Sequence, residues 1–310
     1  MGAITVDQKL FVWGNNNIGQ LGTNDTVNRS SPVQVNTTGT GSSWSLIQAG
    51  ANHNMGIVGS SIYTWGLNTS GQLGDNTAVS KSSPVQIDTF WYYPATKATS
   101  SPIQVGTGSS WIKISAGNSH SVAITTNYTL FAWGNNSSGQ LADGTSTNKS
   151  SPIQIGSSSW SQIKAGSSFS LGLLTDKTLY AWGLNSNGQL GLGDTANRSS
   201  PVQVPANTQS MFNFPVRIGI SRWSQISAGG SHSVAIRDDY TLWAWGLNTY
   251  GALGNNSNTN QSSPVQIGTS LWTQVSASSH SLAIQSGGTL WAWGYNNFGS
   301  LGTSNITSYS

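Results

Sequence analysis

The 310-residue sequence contains no cysteine and no glutamate, so its nine acidic residues are all aspartate. The missing cysteine excludes a disulfide framework, a cysteine-based zinc site and a thiol nucleophile. Glutamate, with Lys, Arg and Ala, is what surface helices are usually built from, and its absence argues against a mostly helical protein. Charged residues amount to 7% of the chain, against about 25% in an ordinary soluble domain. The formal net charge of +3 is too small for this length to imply a nucleic-acid partner. No run of 18 apolar residues occurs, and the opening MGAITVDQKLFVWG has no basic segment leading into an apolar one. Neither membrane insertion nor a signal peptide is expected.

Glycine (37 residues) and tryptophan (14) are in excess instead. Disordered polar chains carry few aromatics, so this tryptophan density, with 36% hydrophobic residues, points to a folded scaffold with a core. The excess has a period. Trp-Gly recurs at Trp13, Trp65, Trp133, Trp182, Trp245 and Trp293, with spacings of 52, 68, 49, 63 and 48 residues. Each pair is followed by a version of N-x-x-G-[QAS]-L, and after the first five come S-S-P-[VI]-Q-[VI] and then W-x-x-[IV] at Trp44, Trp111, Trp160, Trp223 and Trp272. Eleven of the 14 tryptophans fall at these two positions. A period of this size is the mark of a repeat architecture and replaces any count of domains from length.

Within one period the short apolar stretches alternate with period two between Gly, Asn, Ser and Pro, which predicts strands. SPIQI, WSQIKAG, FSLGLL and TLYAWG make four of them in about 49 residues, which fits one propeller blade. We label them D (SPxQ), A (Trp), B (His) and C (Trp-Gly) in chain order. Thr175-Asp176-Lys177, Arg237-Asp238-Asp239 and Ser286-Gly287-Gly288 read as hairpin turns between B and C. The proline of D suits an outer edge, where no ladder N–H is required.

The sequence W-G-x-N-x-x-G-Q-L-G, followed by S-P and then W-x-x-I-x-A-G-x-x-H, resembles the repeat of the RCC1 (regulator of chromosome condensation) family. The resemblance spans almost the whole chain and implies a β-propeller, usually seven-bladed in that family. Its eukaryotic namesake is a chromatin-bound exchange factor for a small GTPase; other members inhibit β-lactamase or act in assorted interactions, so fold does not decide function. Here the chain supplies one C strand, five D-A-B-C sets and a tail. The expectation is therefore a single all-β propeller over residues 1–310, either a six-bladed ring or an incomplete seven-bladed one.

No catalytic constellation is found. His53, His120, His232 and His280 share one repeat position, eight or nine residues after the repeat Trp, and Phe169 fills it in the fifth copy. A position that accepts Phe reads as packing, or as hydrogen bonding between strands of its own blade, not as a metal ligand. Asp25, Asp75, Asp143 and Asp194 are each followed by Arg29, Lys81, Lys149 or Arg198, which reads as local ion pairs pinning a loop. Neither a G-x-S-x-G elbow nor a P-loop is present. The expectation is a protein without enzymatic activity, metal or cofactor.

Two insertions interrupt the repeat, at 88–99 (DTFWYYPATKAT) and 205–221 (PANTQSMFNFPVRIGIS), the first followed by an additional SSPIQV at 100–105. They present Phe90, Trp91, Tyr92 and Tyr93, and Met211, Phe212 and Phe214. Clustered aromatics on loops have the make-up of an interface hot spot, and these seven residues are the predicted partner-binding set. The expected function is a protein-binding or structural module. Its partner would be another protein or a surface glycan, or another copy joined through an incomplete terminal blade. The polar, glutamate-free composition suits an extracellular or virion-surface adhesion component. Nucleotide exchange on a small GTPase, implied by the resemblance, and lectin activity are the alternatives.

Overall fold

The computed structural model describes residues 1–35, 43–87, 111–205 and 222–310. The strands follow the predicted order. The first sheet holds β1 (Gly2–Ile4), β2 (Leu10–Gly14) and β3 (Arg29–Gln34); the second holds β4 (Trp44–Ala49), β5 (His53–Val58), β6 (Ser61–Gly66) and β7 (Lys81–Ile87). The third is β8 (Trp111–Ala116), β9 (His120–Thr125), β10 (Leu130–Gly134) and β11 (Lys149–Gln154). The fourth is β12 (Trp160–Ala165), β13 (Phe169–Leu174), β14 (Leu179–Gly183) and β15 (Arg198–Gln203). The fifth is β16 (Trp223–Ala228), β17 (His232–Arg237), β18 (Thr241–Gly246), β19 (Gln261–Ala277), β20 (His280–Gln285) and β21 (Leu290–Gly294). All ladders are antiparallel, as in an all-β propeller of four-stranded blades.

Two expectations need correction. The three four-stranded sheets are A-B-C-D and not D-A-B-C, because the Ser-Ser-Pro strand pairs with the C strand that precedes it: β7 lies on β6, β11 on β10 and β15 on β14. One sequence repeat thus contributes to two sheets. The count of six blades, or of seven with one incomplete, becomes five. β19 runs for 17 residues without a break. Its first part pairs with β18 and its second with β20, so the strands of the sixth repeat extend the fifth sheet.

The chain packs as two compact units, Met1–Ser137 with Thr145–Ser159, and Ser138–Gly144 with Trp160–Ser310. In each, the core lies between successive sheets. Leu10, Val12, Leu21, Val35, Trp44 and Trp65 form one such layer in the first unit, and Phe169, Leu171, Leu179, Trp223, Ile226 and Trp245 form one in the second. The A-strand tryptophan meets the Trp-Gly tryptophan edge-on within its sheet, at 5.7 Å between ring centroids for Trp44 and Trp65 and 5.5 Å for Trp160 and Trp182. The glycine of Trp-Gly is forced by the backbone. Gly134 has φ of 103°, and a Cβ there would stand 2.6 Å from the Ser119 carbonyl oxygen.

Candidate interaction surface

The turn after each Trp-Gly pair is built around one buried asparagine. Asn68 Oδ1 accepts from the Leu73 N–H at 2.9 Å, while its amide donates to Asp75 Oδ1 and to the carbonyls of Thr77 and Val79. Asn16, Asn136, Asn185, Asn248 and Asn296 are equally buried at the same position. The turn then projects the Gly-Gln-Leu segment onto an adjacent sheet. Gln72 O accepts from Trp133 Nε1–H at 2.9 Å and from the Ser121 hydroxyl at 2.8 Å. Gln189 O receives Trp245 and Ser233 in the same way, and Ala252 O receives Trp293 and Ser281. A single carbonyl thereby holds two strands of its neighbour.

The aspartates act as pins for these turns. Asp25 accepts from Asn16, Thr23 and the Val27 N–H and pairs with Arg29; Asp194 accepts from Asn185 and the Ala196 N–H and pairs with Arg198 at 2.5 Å. Burial opposes ionisation at both, and the backbone N–H groups and guanidinium partners outweigh it, holding both carboxyls below the usual range. The charges of Asp25, Asp194, Arg29 and Arg198 are therefore paired locally and do not form a free charged rim.

The histidines bridge sheets, which corrects the expectation that they bond within their own blade. His53 Nε2 lies 3.0 Å from Ser121 Oγ, and His232 Nε2 lies 2.9 Å from Ser281 Oγ. The partner is the residue that follows the histidine position in the next set of strands, a relation that only packing reveals. Burial pushes His53 and His232 down to about 4 and His120 to about 3, and lowers His280. These are neutral structural groups at pH 7. Among the described residues no three His or Asp side chains come together in a way that could hold a metal ion.

Phe90, Trp91, Tyr92, Tyr93, Met211, Phe212 and Phe214 lie outside the described residues. The described aromatic surface is elsewhere. Tyr250 and Tyr295 meet edge-on at 4.9 Å between ring centroids, and Tyr295 meets Phe298 at 6.1 Å. Tyr250 is 50% exposed and Phe298 is 85% exposed. Both occupy the residue before the turn glycine, where the other repeats have Ile18, Ser70, Ser138 and Asn187. The signal was present in the sequence as a departure from the repeat consensus, but spacing alone did not show that two successive turns place their rings together.

The sequence profile described as the regulator of chromosome condensation (RCC1) repeat matches residues 7–57, 60–124, 129–173, 176–236 and 241–284. The chain belongs to the RCC1 repeat family. Each of the five matches runs from a C strand through D and A to B; in the first four these strands belong to two sheets, and in the fifth, where β19 is continuous, to one. Over 151 residues the chain is 28% identical to the ultraviolet-B receptor UVR8 of Arabidopsis thaliana, covering 48% of this chain and 30% of the receptor. It is 31% identical over 153 residues to the X-linked retinitis pigmentosa GTPase regulator of Canis lupus familiaris, covering 49% of this chain and 14% of that protein. The matched stretch spans less than a third of the length of these relatives. Among solved structures, Prp20p of Saccharomyces cerevisiae superposes with a TM-score of 0.79 at 19% identity, covering 99% of this chain and 72% of that one. This last likeness is one of fold.

Proposed function

We propose that this chain is a non-catalytic protein-binding module whose partner docks on the aromatic turn surface of Tyr250, Tyr295 and Phe298. The observation that carries the proposal is that Tyr295 meets both Tyr250 and Phe298 on turns built around the buried Asn248 and Asn296, yet Tyr250 and Phe298 stay open to solvent. Rigid aromatic rings lose little conformational entropy on binding and dominate interface energetics. The aromatic insertions at 88–99 and 205–221 are proposed as a second part of the contact, on their sequence alone. The fold relative Prp20p is described with binding properties toward Gsp1p and histones, and yeast RCC1 (Prp20) is described bound to Kap60, which makes a protein partner the reading favoured here.

The test uses Tyr250→Ser/Phe298→Asn, which installs residues found at this position in Ser70, Ser138 and Asn187 and so leaves the turns intact. A partner captured by the wild-type protein from its native source is purified and its affinity measured against both forms. The double variant should bind about tenfold or more weakly at unchanged thermal stability. Equal affinity, both in this variant and in a folded protein lacking 88–99 and 205–221, overturns the reading. A glycan array run with the same variants separates ring stacking on sugars from docking of a protein.

A further inference from the structure

Asn-x-Ser/Thr triplets are common in this chain, and the triplet is the acceptor sequence for N-glycosylation. Most of their asparagines are spent on the fold. Asn28, Asn148, Asn197 and Asn260 each accept, through Oδ1, the backbone N–H of a buried turn asparagine, at 2.8 Å in all four copies. Asn68 and Asn136 are themselves buried turn asparagines. Asn24 accepts from the Ser83 hydroxyl, Asn135 from the Ser137 hydroxyl and Asn255 from the Asn248 amide. Asn305 accepts from the Thr307 N–H and donates to the Tyr309 hydroxyl. Asn36 heads a further triplet and lies outside the described residues.

Asn127-Tyr128-Thr129 differs from all of these. It forms the tip of the hairpin between β9 and β10, where the Tyr128 N–H closes the turn on Thr125 O at 2.9 Å and Tyr128 has φ of 62°. Asn127 is exposed, and its side chain makes no hydrogen bond among the described residues. The Thr129 N–H goes to Thr125 Oγ1 at 3.3 Å, which leaves Asn127 Oδ1 unused.

The same turn recurs with aspartate in place of Asn127. Asp239 Oδ1 accepts from the N–H of Thr241 at 3.1 Å and from its hydroxyl at 2.5 Å, and Asp176 Oδ1 accepts from the N–H and the hydroxyl of Thr178. The backbone of this hairpin thus carries the side chain at the second turn position onto the hydroxyl two residues on, an Asx-turn contact. In Asn127-Tyr128-Thr129 it puts a carboxamide and a hydroxyl within mutual reach on an open loop tip, with neither group holding the fold.

We propose that Asn127 is an N-glycosyl acceptor site, taking a sugar activated as a pyrophosphate ester. Its Nδ2 forms the bond to the anomeric carbon as the bond from that carbon to the pyrophosphate oxygen breaks. The pyrophosphate leaves with the electron pair, and Nδ2 releases one proton. Nucleotide-linked and polyprenyl-linked sugars share this chemistry. At the other triplets the transferase would first have to break a hydrogen bond that holds a turn. This inference does not depend on the aromatic turn surface.

Folded full-length protein is incubated in two arms, one with UDP-glucose and a soluble N-glycosyltransferase, the other with a polyprenyl-pyrophosphate oligosaccharide and an oligosaccharyltransferase. Occupancy is read at each asparagine by peptide mass spectrometry. In at least one arm Asn127 should be occupied about tenfold or more above Asn28, Asn148 and Asn197, since each of those must first give up a hydrogen bond. The arm that reacts identifies the carrier. Asn127→Gln should abolish the modification, and so should Thr129→Val, which keeps the side-chain shape and removes the hydroxyl. Asp239→Asn copies the triplet onto the sister hairpin and should add a second occupied site of similar extent; if thermal unfolding shows that variant to be unfolded, Asp176→Asn takes its place. No sugar at Asn127 in either arm overturns the proposal. So does equal occupancy at Asn28, Asn148 or Asn197, and so does a folded hairpin variant that gains no second site.

Discussion

His53 Nε2 on β5 lies 3.0 Å from Ser121 Oγ on β9, and that same hydroxyl donates to Gln72 O at 2.8 Å. One imidazole, one hydroxyl and one turn carbonyl thus link two sheets through a chain of hydrogen bonds sealed from water. His232 and Ser281 repeat the arrangement. Burial holds His53 and His232 near 4 and His120 near 3, against about 6.5 in an unfolded chain.

A pH dependence follows from this. Between about pH 6.5 and 4 the unfolded chain binds protons that the folded chain does not, so stability is complete above pH 6.5 and falls as the pH drops through that window. Each of these three histidines contributes on the order of 3 kcal/mol by the bottom of the range. Thermal unfolding from pH 7.5 to 4.5 should show a falling midpoint. His53→Phe, which copies the residue accepted as Phe169, should flatten the profile. A midpoint independent of pH for the wild type would contradict the neutral, buried state of these groups.

Gly74→Ala and Ala142→Gly form a reciprocal pair. Both positions follow the turn Leu, with φ of 72° and 65°. A Cβ at Gly74 would stand 2.7 Å from Trp133 Nε1, disturbing its bond to Gln72 O. Adding the left-handed backbone cost of about 1–2 kcal/mol and a lost hydrogen bond, Gly74→Ala should destabilise by about 3 kcal/mol. Ala142→Gly relieves the backbone cost but adds about 0.5–1 kcal/mol of unfolded-state entropy, so a gain of about 0.5–1 kcal/mol is expected. Urea denaturation of both variants measures the signs.

Arg237, on β17, is poorly satisfied. Its guanidinium lies 3.6 Å from the ring centroid of Trp243, and its Nε and Nη2 are buried without hydrogen-bond partners. Burial lowers its pKa, a sign that the charged form is poorly accommodated. Cation–π attraction of up to about 2 kcal/mol is set against about 1–3 kcal/mol for each unpaired N–H. Leu174 stands at the equivalent place opposite Trp160. Arg237→Leu should therefore stabilise the protein by about 1 kcal/mol, and a loss of stability would show that the stacking outweighs the desolvation.

Asn248→Ala tests the turn itself. It removes the acceptor for the Leu253 N–H and the donor to Ser257 O and Thr259 O at a fully buried site. Leaving these backbone groups unpaired should cost about 3 kcal/mol or more. Hydrogen exchange at Leu253 should rise well above that of the other turn leucines. Because this turn carries Tyr250, affinity for a partner should fall with it.

The sequence by itself determined the strands, their order and the repeat. Alternation with period two, the hairpin residues at Asp176-Lys177 and Asp238-Asp239, and the Gly of Trp-Gly are local features, each settled by the sterics of a few residues. The local pinning of Asp25 and Asp194 by Arg29 and Arg198 was legible for the same reason. Which strands share a sheet was decided only by the tertiary structure. Hydrogen-bonding edges take the nearest compatible strand, so each Ser-Ser-Pro segment joins the C strand before it, and β19 runs on from one set of strands into the next, leaving five sheets where the repeat suggested six. The partners of His53 and His232 and the contacts of Tyr295 with Tyr250 and Phe298 arise between residues brought together by packing. No spacing along the chain encodes them, because they depend on how one sheet's turns reach another's strands.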